Sequence, residues 1–178
     1  VTIICAAKGP DGIWIGSDRQ FSRGRNYPAI IGGPKWVLHG GAALGIAGNH
    51  RLECLAARCA WPPVWDSTDT MIWDFCLTLR AAVRDDLWVP DKADDAEPPT
   101  FGNSCILVAG GGIYWVDSSF THGPTMDFAA AGSGAQYAYG VAHVRHLWPA
   151  KDQVDGALDA AIALDPGSGG EPWVMKVG

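Results

Sequence analysis

The sequence predicts an α+β fold of four layers: two β-sheets packed face to face with helices outside each, an αββα sandwich. Three observations carry this. Apolar runs punctuated by glycine turns come in two blocks, a pair of segments with apolar residues at helical spacing follows each block, and one last apolar run follows the second helix pair. Strand blocks alternating with helix pairs fit a layered sandwich. No internal repeat or linker divides the chain. Its 178 residues, 48% of them hydrophobic, suffice for a sizeable core, so residues 1–178 read as a single domain.

The elements follow in order. Residues 2–8 are an apolar, β-branched run, and Gly9-Pro10-Asp11-Gly12 turns it into a second run, Ile13 to Ile15, before Gly16-Ser17-Asp18. Residues 19–34 are polar with Gly and Pro, a loop or irregular hairpin. Trp36 to Leu38 and Ala42 to Ala47 are strands about the His39-Gly40-Gly41 turn. Gly48-Asn49 looks like a helix entry, His50 to Ala60 has helical spacing, and Pro62-Pro63 stops it. Ser67 reads as an N-cap, with Asp66 and Asp69 near the positive end of the helix dipole. From Met71 to Leu87, Ile72, Phe75, Leu79 and Val83 share one face. Val89 to Thr100 is an acidic, proline-rich surface loop. Asn103 to Ala109 and Ile113 to Val116 flank Gly110-Gly111-Gly112, a strong hairpin signal. Phe128 to Ala131 ends a strand at Gly132-Ser133-Gly134. Ala135 to Leu147 and Val154 to Leu164 are helices separated by Pro149. Trp173 to Val177 is the last strand.

Composition narrows the function. The formal charge is −6 with no basic run, which argues against nucleic acid as a partner. Nothing approaches the roughly 18 consecutive apolar residues of a membrane span, and the start lacks the regions of a secretory signal. The expectation is a soluble, cytoplasmic protein. Cys5, Cys54, Cys59, Cys76 and Cys105 are odd in number, lie in or beside apolar runs and form no CxxC pair, so they read as reduced thiols rather than zinc ligands. His143 and His146 stand three apart on a helix without a further ligand nearby, a polar face rather than a metal site. The nine tryptophans are many for this length, serving the core or subunit contacts.

Chemistry points first to Thr2, one step from the amino terminus. As the first residue of a mature chain it would carry a hydroxyl and a free α-amine, a nucleophile with its own general base. Val1 then reads as a translated start codon that must be removed. Asp18, at a strand end, and Lys35 are each ordinary alone, a turn former and a surface charge. Together beside Thr2, the ammonium would favour deprotonating its hydroxyl and amine, and the carboxylate would hold the lysine. Ser133 opens a helix within a glycine turn, and Asp165-x-x-Ser168-Gly169-Gly170 puts a carboxylate and a hydroxyl at a glycine-rich bend.

That ordered combination resembles the proteasome β-subunit family of N-terminal-nucleophile (Ntn) hydrolases, which includes the bacterial HslV peptidase. Counted from Thr2, TIICAAKGPDGIWIGSDRQFSRG lines up with the start of such subunits without a gap, placing Gly12, Asp18 and Gly24. Gly45-Ile46-Ala47-Gly48, Gly132-Ser133-Gly134 and the Asp165 motif match later family turns. Lys35 comes one residue later than in typical members, and Ile3 stands where a second Ser or Thr often follows the nucleophile.

The resemblance implies a threonine-type endopeptidase. Thr2 Oγ1 would attack a peptide carbonyl, and its amine would take the proton. Lys35, held by Asp18, would lower the proton affinity of both groups, while Ser133, Asp165 and Ser168 would orient the amine. The Gly48 N–H would stabilise the oxyanion. Substrate would add as a strand against Ser22 and Gly48, with Ile46, Phe21, His50 and Cys54 shaping a pocket. No cofactor is implied for cleavage and no catalytic metal, though family analogy allows a monovalent or divalent cation near Asp165 and Ser168. Implied partners are further copies of the chain in a hexameric or heptameric ring, singly or stacked, unfolded polypeptides, and a separate AAA+ ATPase, since the chain has no Walker-type segment. The alternatives are a catalytically silent ring or scaffold subunit with a blocked amino terminus, and a related Ntn amidase acting on small amides.

Overall fold

A computed structural model of the chain describes residues 2–22, 28–30, 33–48, 50–66, 68–86, 104–124 and 127–178. The first block comprises β1 (Ile3–Gly9), β2 (Gly12–Ser17), β3 (Gln20–Ser22), β4 (Pro28–Ile30), β5 (Trp36–His39) and β6 (Ala42–Ala47). Helices α1 (His50–Ala56) and α2 (Asp69–Asp85) follow. The second block is β7 (Ser104–Ala109), β8 (Gly112–Val116), β9 (His122–Pro124) and β10 (Phe128–Gly132), then α3 (Ala135–Val144), α4 (Ala150–Leu164) and β11 (Trp173–Val177). The predicted α+β class and order of blocks hold.

Two antiparallel sheets form the centre, one ordered β10-β1-β2-β11 and the other β5-β6-β7-β8-β9. The short β3–β4 ladder stands apart. The two-residue period of a strand explains the layers. Ile4, Ala6 and Ile15 point inward and meet Ala43, Ala47, Ile106 and Val108 of the facing sheet. Ile3, Cys5 and Ala7 point the other way, onto Ala138, Val154, Leu158 and Ala161 of α3 and α4. On the far side, Leu44, Ile46 and Leu107 pack beneath Leu52 of α1 and Ile72, Phe75 and Leu79 of α2. Both faces of β1 are therefore buried, which is why its apolar run is continuous rather than alternating. Gly45 permits the close approach of the sheets, since a Cβ there would lie 2.6 Å from Ile4 Cγ2.

Several boundaries differ from expectation. The first helix ends at Ala56, short of Ala60, and Trp61 then folds back, its Nε1 donating to the Ala56 carbonyl at 2.7 Å. That indole packs on Phe75 at 4.6 Å between ring centres, so it belongs to the core. The final helix starts at Ala150, directly after Pro149, a turn before Val154. Strand β9 was not foreseen. Val1, Gly24, Asn49, Ser67, Leu87, the segment 89–100 and Asn103 lie outside the described residues. Among the described residues, no helix is long and apolar enough to cross a membrane.

The cap of α2 is Thr68. Its backbone is extended (φ −70°, ψ 142°) and its hydroxyl accepts from the Met71 N–H at 3.4 Å. Asp66 fixes that hydroxyl, accepting from Thr68 Oγ1 at 2.7 Å and from the Thr68 N–H at 2.9 Å. Thr68→Ala is expected to lower stability by about 1 kcal/mol, read as a lower urea midpoint at unchanged slope.

Candidate active site

The β1–β2 register pairs Ile4 with Ser17, and the β1–β10 register pairs Ile3 with Gly132. Thr2 at the head of β1, Asp18 just past β2 and Ser133 just past β10 therefore share one end of the four-stranded sheet. Trp173 pairs with Ser17, so the Asp165–Gly170 loop entering β11 arrives at the same end. Lys35 immediately precedes β5 of the other sheet, and its carbonyl accepts from the Ile46 N–H at 3.0 Å. The site lies where the two sheets open.

Thr2, Asp18 and Lys35 are buried at 4%, 0% and 3% exposure. Charged groups this deep need partners, and here they meet each other. Thr2 Oγ1 donates to Asp18 Oδ1 at 2.7 Å, and Lys35 Nζ donates to the same oxygen at 2.6 Å. Lys35 Nζ also donates to Thr2 Oγ1 and, at 2.5 Å, to the Gln20 carbonyl. Asp18 is saturated further by main-chain donors: the Ile3 N–H at 3.0 Å on Oδ1, and the N–H groups of Gln20 and Gly169 at 3.1 Å on Oδ2. The Ser17 hydroxyl accepts from the Lys35 N–H at 3.2 Å. Burial pushes the Lys35 ammonium below its usual range, although the Asp18 carboxylate and, farther off, Glu53 hold its proton on.

A second cluster reaches Thr2 from the other side. Asp165 Oδ2 accepts from Ser133 Oγ at 2.5 Å and from Ser168 Oγ at 2.7 Å, and Oδ1 accepts from the Gly167 N–H at 3.1 Å. Burial pushes the Asp165 carboxyl up, but these three hydrogen bonds outweigh it and hold it below the usual carboxylate range. Ser133 Oγ and the Gly134 N–H each approach the Thr2 carbonyl oxygen at 3.4 Å. All six residues proposed for catalysis are thus brought into one connected network.

Gly132 makes the junction possible. Its φ is +104°, and a Cβ there would lie 2.1 Å from the Thr2 carbonyl oxygen. Gly132→Ala combines left-handed strain with that clash. It is expected to cost about 1–3 kcal/mol and to shift Thr2 off Lys35, measured as a lower melting temperature together with reduced turnover.

Of the residues expected to bind substrate, Phe21 and the Ile46 backbone contact Lys35. Gly48, with φ +143°, follows β6 and leads toward α1. The Phe21 ring centre lies 5.3 Å from Lys35 Nζ, and the His50 ring meets Phe21 edge-on at 5.3 Å. Ser22 ends β3, but its side chain is outside the described residues. Ile46 is nearly closed to solvent, in the layer beneath α1 and α2. Sequence reasoning assigned no role to the Gln20 carbonyl, the Ser17 hydroxyl or the Gly169 N–H, all of which tie down the charged pair. Backbone partners leave no mark in a residue pattern, and only the Gly169-Gly170 doublet hinted at one. Among the described residues, no group of three or more His, Cys, Asp or Glu is placed to hold a metal ion.

A scan of protein-family models found no match to the chain, and a search of curated protein sequences found none either. Solved structures match over nearly its whole length. Thiobacillus denitrificans BPH in complex with epoxomicin superposes with a TM-score of 0.82 at 20% identity, covering 99% of this chain and 100% of that one. A second structure of Thiobacillus denitrificans BPH gives 0.78 at 21%, covering 99% of each chain. Eukaryotic HslV from Trypanosoma brucei gives 0.68 at 19%, covering 98% of each. The chain therefore has the fold of these HslV and BPH structures, an αββα sandwich.

Proposed function

We propose that the chain is a threonine-type endopeptidase subunit that uses Thr2 as nucleophile once Thr2 is the first residue. The observation that carries this reading is the buried Thr2 hydroxyl, bonded at once to Lys35 Nζ and to the Asp18 carboxylate that anchors the lysine. A threonine in a purely structural role has no need of a buried ammonium beside its oxygen.

In this mechanism Thr2 Oγ1 attacks the peptide carbonyl carbon while its proton passes to the Thr2 α-amine, directly or through water. A free α-amine titrates at roughly 7.7–8.0, close to neutral pH and suited to a general base. The Lys35 charge stabilises the developing alkoxide. The Gly48 N–H faces the tetrahedral oxyanion, a contact worth about 3–4 kcal/mol in proteases. Collapse breaks the C–N bond, the departing amine takes the proton from Thr2, and water then hydrolyses the ester. Ser133, linked to both Asp165 and the Thr2 carbonyl, holds the first residue in register. The same reading makes the active form a ring of copies in the cytoplasm, fed unfolded polypeptide by a separate ATPase.

Intact-mass analysis tests the premise directly. The active protein is expected to begin at Thr2 and to gain the mass of one epoxomicin, the compound held by the BPH structure. A chain that keeps a residue before Thr2, takes up no epoxomicin and hydrolyses no peptide would support the scaffold reading instead.

A further inference from the structure

Beside the threonine centre, α1 carries a second nucleophile with a base. Glu53 Oε2 lies 2.8 Å from His50 Nδ1, and His50 Nε2 lies 3.8 Å from Cys54 Sγ. A carboxylate can only accept, so it fixes the proton on Nδ1 and leaves the Nε2 lone pair toward the thiol when the ring is neutral. Nucleophile, base and orienting group thus stand in series, the arrangement that activates a cysteine. The other thiols are differently placed. Burial pushes Cys76 and Cys105 up to about 12 and raises Cys5 and Cys59 as well, whereas Cys54 is exposed. The cluster is also close to the centre: His50 meets the Phe21 ring, which lies over Lys35.

We propose that Cys54, activated by His50 and Glu53, is an oxidation site at the rim of the substrate cleft, and that its modification by peroxide slows cleavage at Thr2. The first half stands on the cluster alone, and the second rests on the function proposed above. In the reaction the Cys54 proton moves to His50 Nε2 and the sulfur attacks one peroxide oxygen. An S–O bond forms as the O–O bond breaks, and the departing hydroxide takes the proton to become water. The sulfur is oxidised by two electrons to a sulfenic acid and the peroxide is reduced. The added oxygen, or a thiol joined to it later, crowds the approach past Phe21 and His50.

The assembled protein is treated with limiting hydrogen peroxide, trapped with dimedone and mapped by peptide mass spectrometry. Cys54 is expected to label before the other four cysteines. His50 Nε2 is the base within reach of the thiol, so His50→Asn should slow that labelling about tenfold or more, and Glu53→Gln should slow it less. Peptide hydrolysis should fall with labelling, recover with dithiothreitol, and be indifferent to peroxide in Cys54→Ser relative to the same variant untreated. Labelling of Cys54 no faster than Cys59, or at an unchanged rate in His50→Asn, overturns the site. Labelled Cys54 with undiminished hydrolysis overturns its control of the cleft. Dimedone reports on the thiol whether or not the protein is a peptidase, so failure of the Thr2 reading would show separately, as absent hydrolysis before any peroxide is added.

Discussion

Thr2→Ala is expected to abolish acyl-enzyme formation and to lower peptide hydrolysis by about 10⁴-fold or more, the scale on which serine hydrolases lose activity with their nucleophile. The fold should survive. Removing the hydroxyl takes one donor from Asp18 Oδ1 and one acceptor from Lys35 Nζ, yet both keep other partners. Asp18 retains Lys35 and three main-chain N–H groups, and Lys35 retains Asp18 and the Gln20 carbonyl. The stability cost is therefore that of an ordinary hydrogen bond, about 1 kcal/mol, thousands of times too small in equilibrium terms to explain the loss of turnover. Thr2→Ser keeps the oxygen and should retain measurable hydrolysis. Active-site titration and urea melts of the two variants separate chemistry from folding. Hydrolysis by Thr2→Ala at the parent rate would sink the nucleophile assignment.

Much of this arrangement could be read from residues, and what could not has a common cause. Gly9-Pro10-Asp11-Gly12 between two apolar runs has few conformations open to it, so the β1–β2 hairpin was legible, and its register sets Asp18 against Ile3, next to Thr2. Lys35 was harder, since nothing local marks a lysine as buried. It became visible only through the order of motifs around it. Ser is the commoner N-cap of the adjacent Ser67 and Thr68, yet Thr68 takes the role with its hydroxyl held by Asp66, a contact no propensity encodes. The early end of α1 depends on Trp61 turning back onto Ala56 and Phe75. Where a tertiary contact competes with local preference, the contact decides.

Asp18→Asn should be the most destabilising change in the site although it alters the volume little. Either orientation of the new amide fails. With its NH₂ at the Oδ2 position it faces the Gln20 and Gly169 N–H groups, and at the Oδ1 position it faces the Lys35 ammonium and the Ile3 N–H. A buried ammonium without its carboxylate costs about 3–5 kcal/mol. Lys35→Met should cost less, about 1.5–3 kcal/mol, because Asp18 keeps the Thr2 hydroxyl and three N–H donors. The double variant should lose less than the sum of the two, by about 0.5–3 kcal/mol. The pH dependence separates this account from simple misfolding. Lys35 in the folded chain already titrates below the ordinary lysine value, so between the two values the unfolded chain binds more protons and stability rises with pH. Removing the Asp18 charge lets burial push Lys35 lower still. The rise should then begin nearer neutrality and be larger in Asp18→Asn, and Lys35's contribution should vanish in Lys35→Met. Urea midpoints measured from pH 7 to 10 give the comparison. Parallel curves for Asp18→Asn and Lys35→Met would mean that the buried pair does not govern the site's stability.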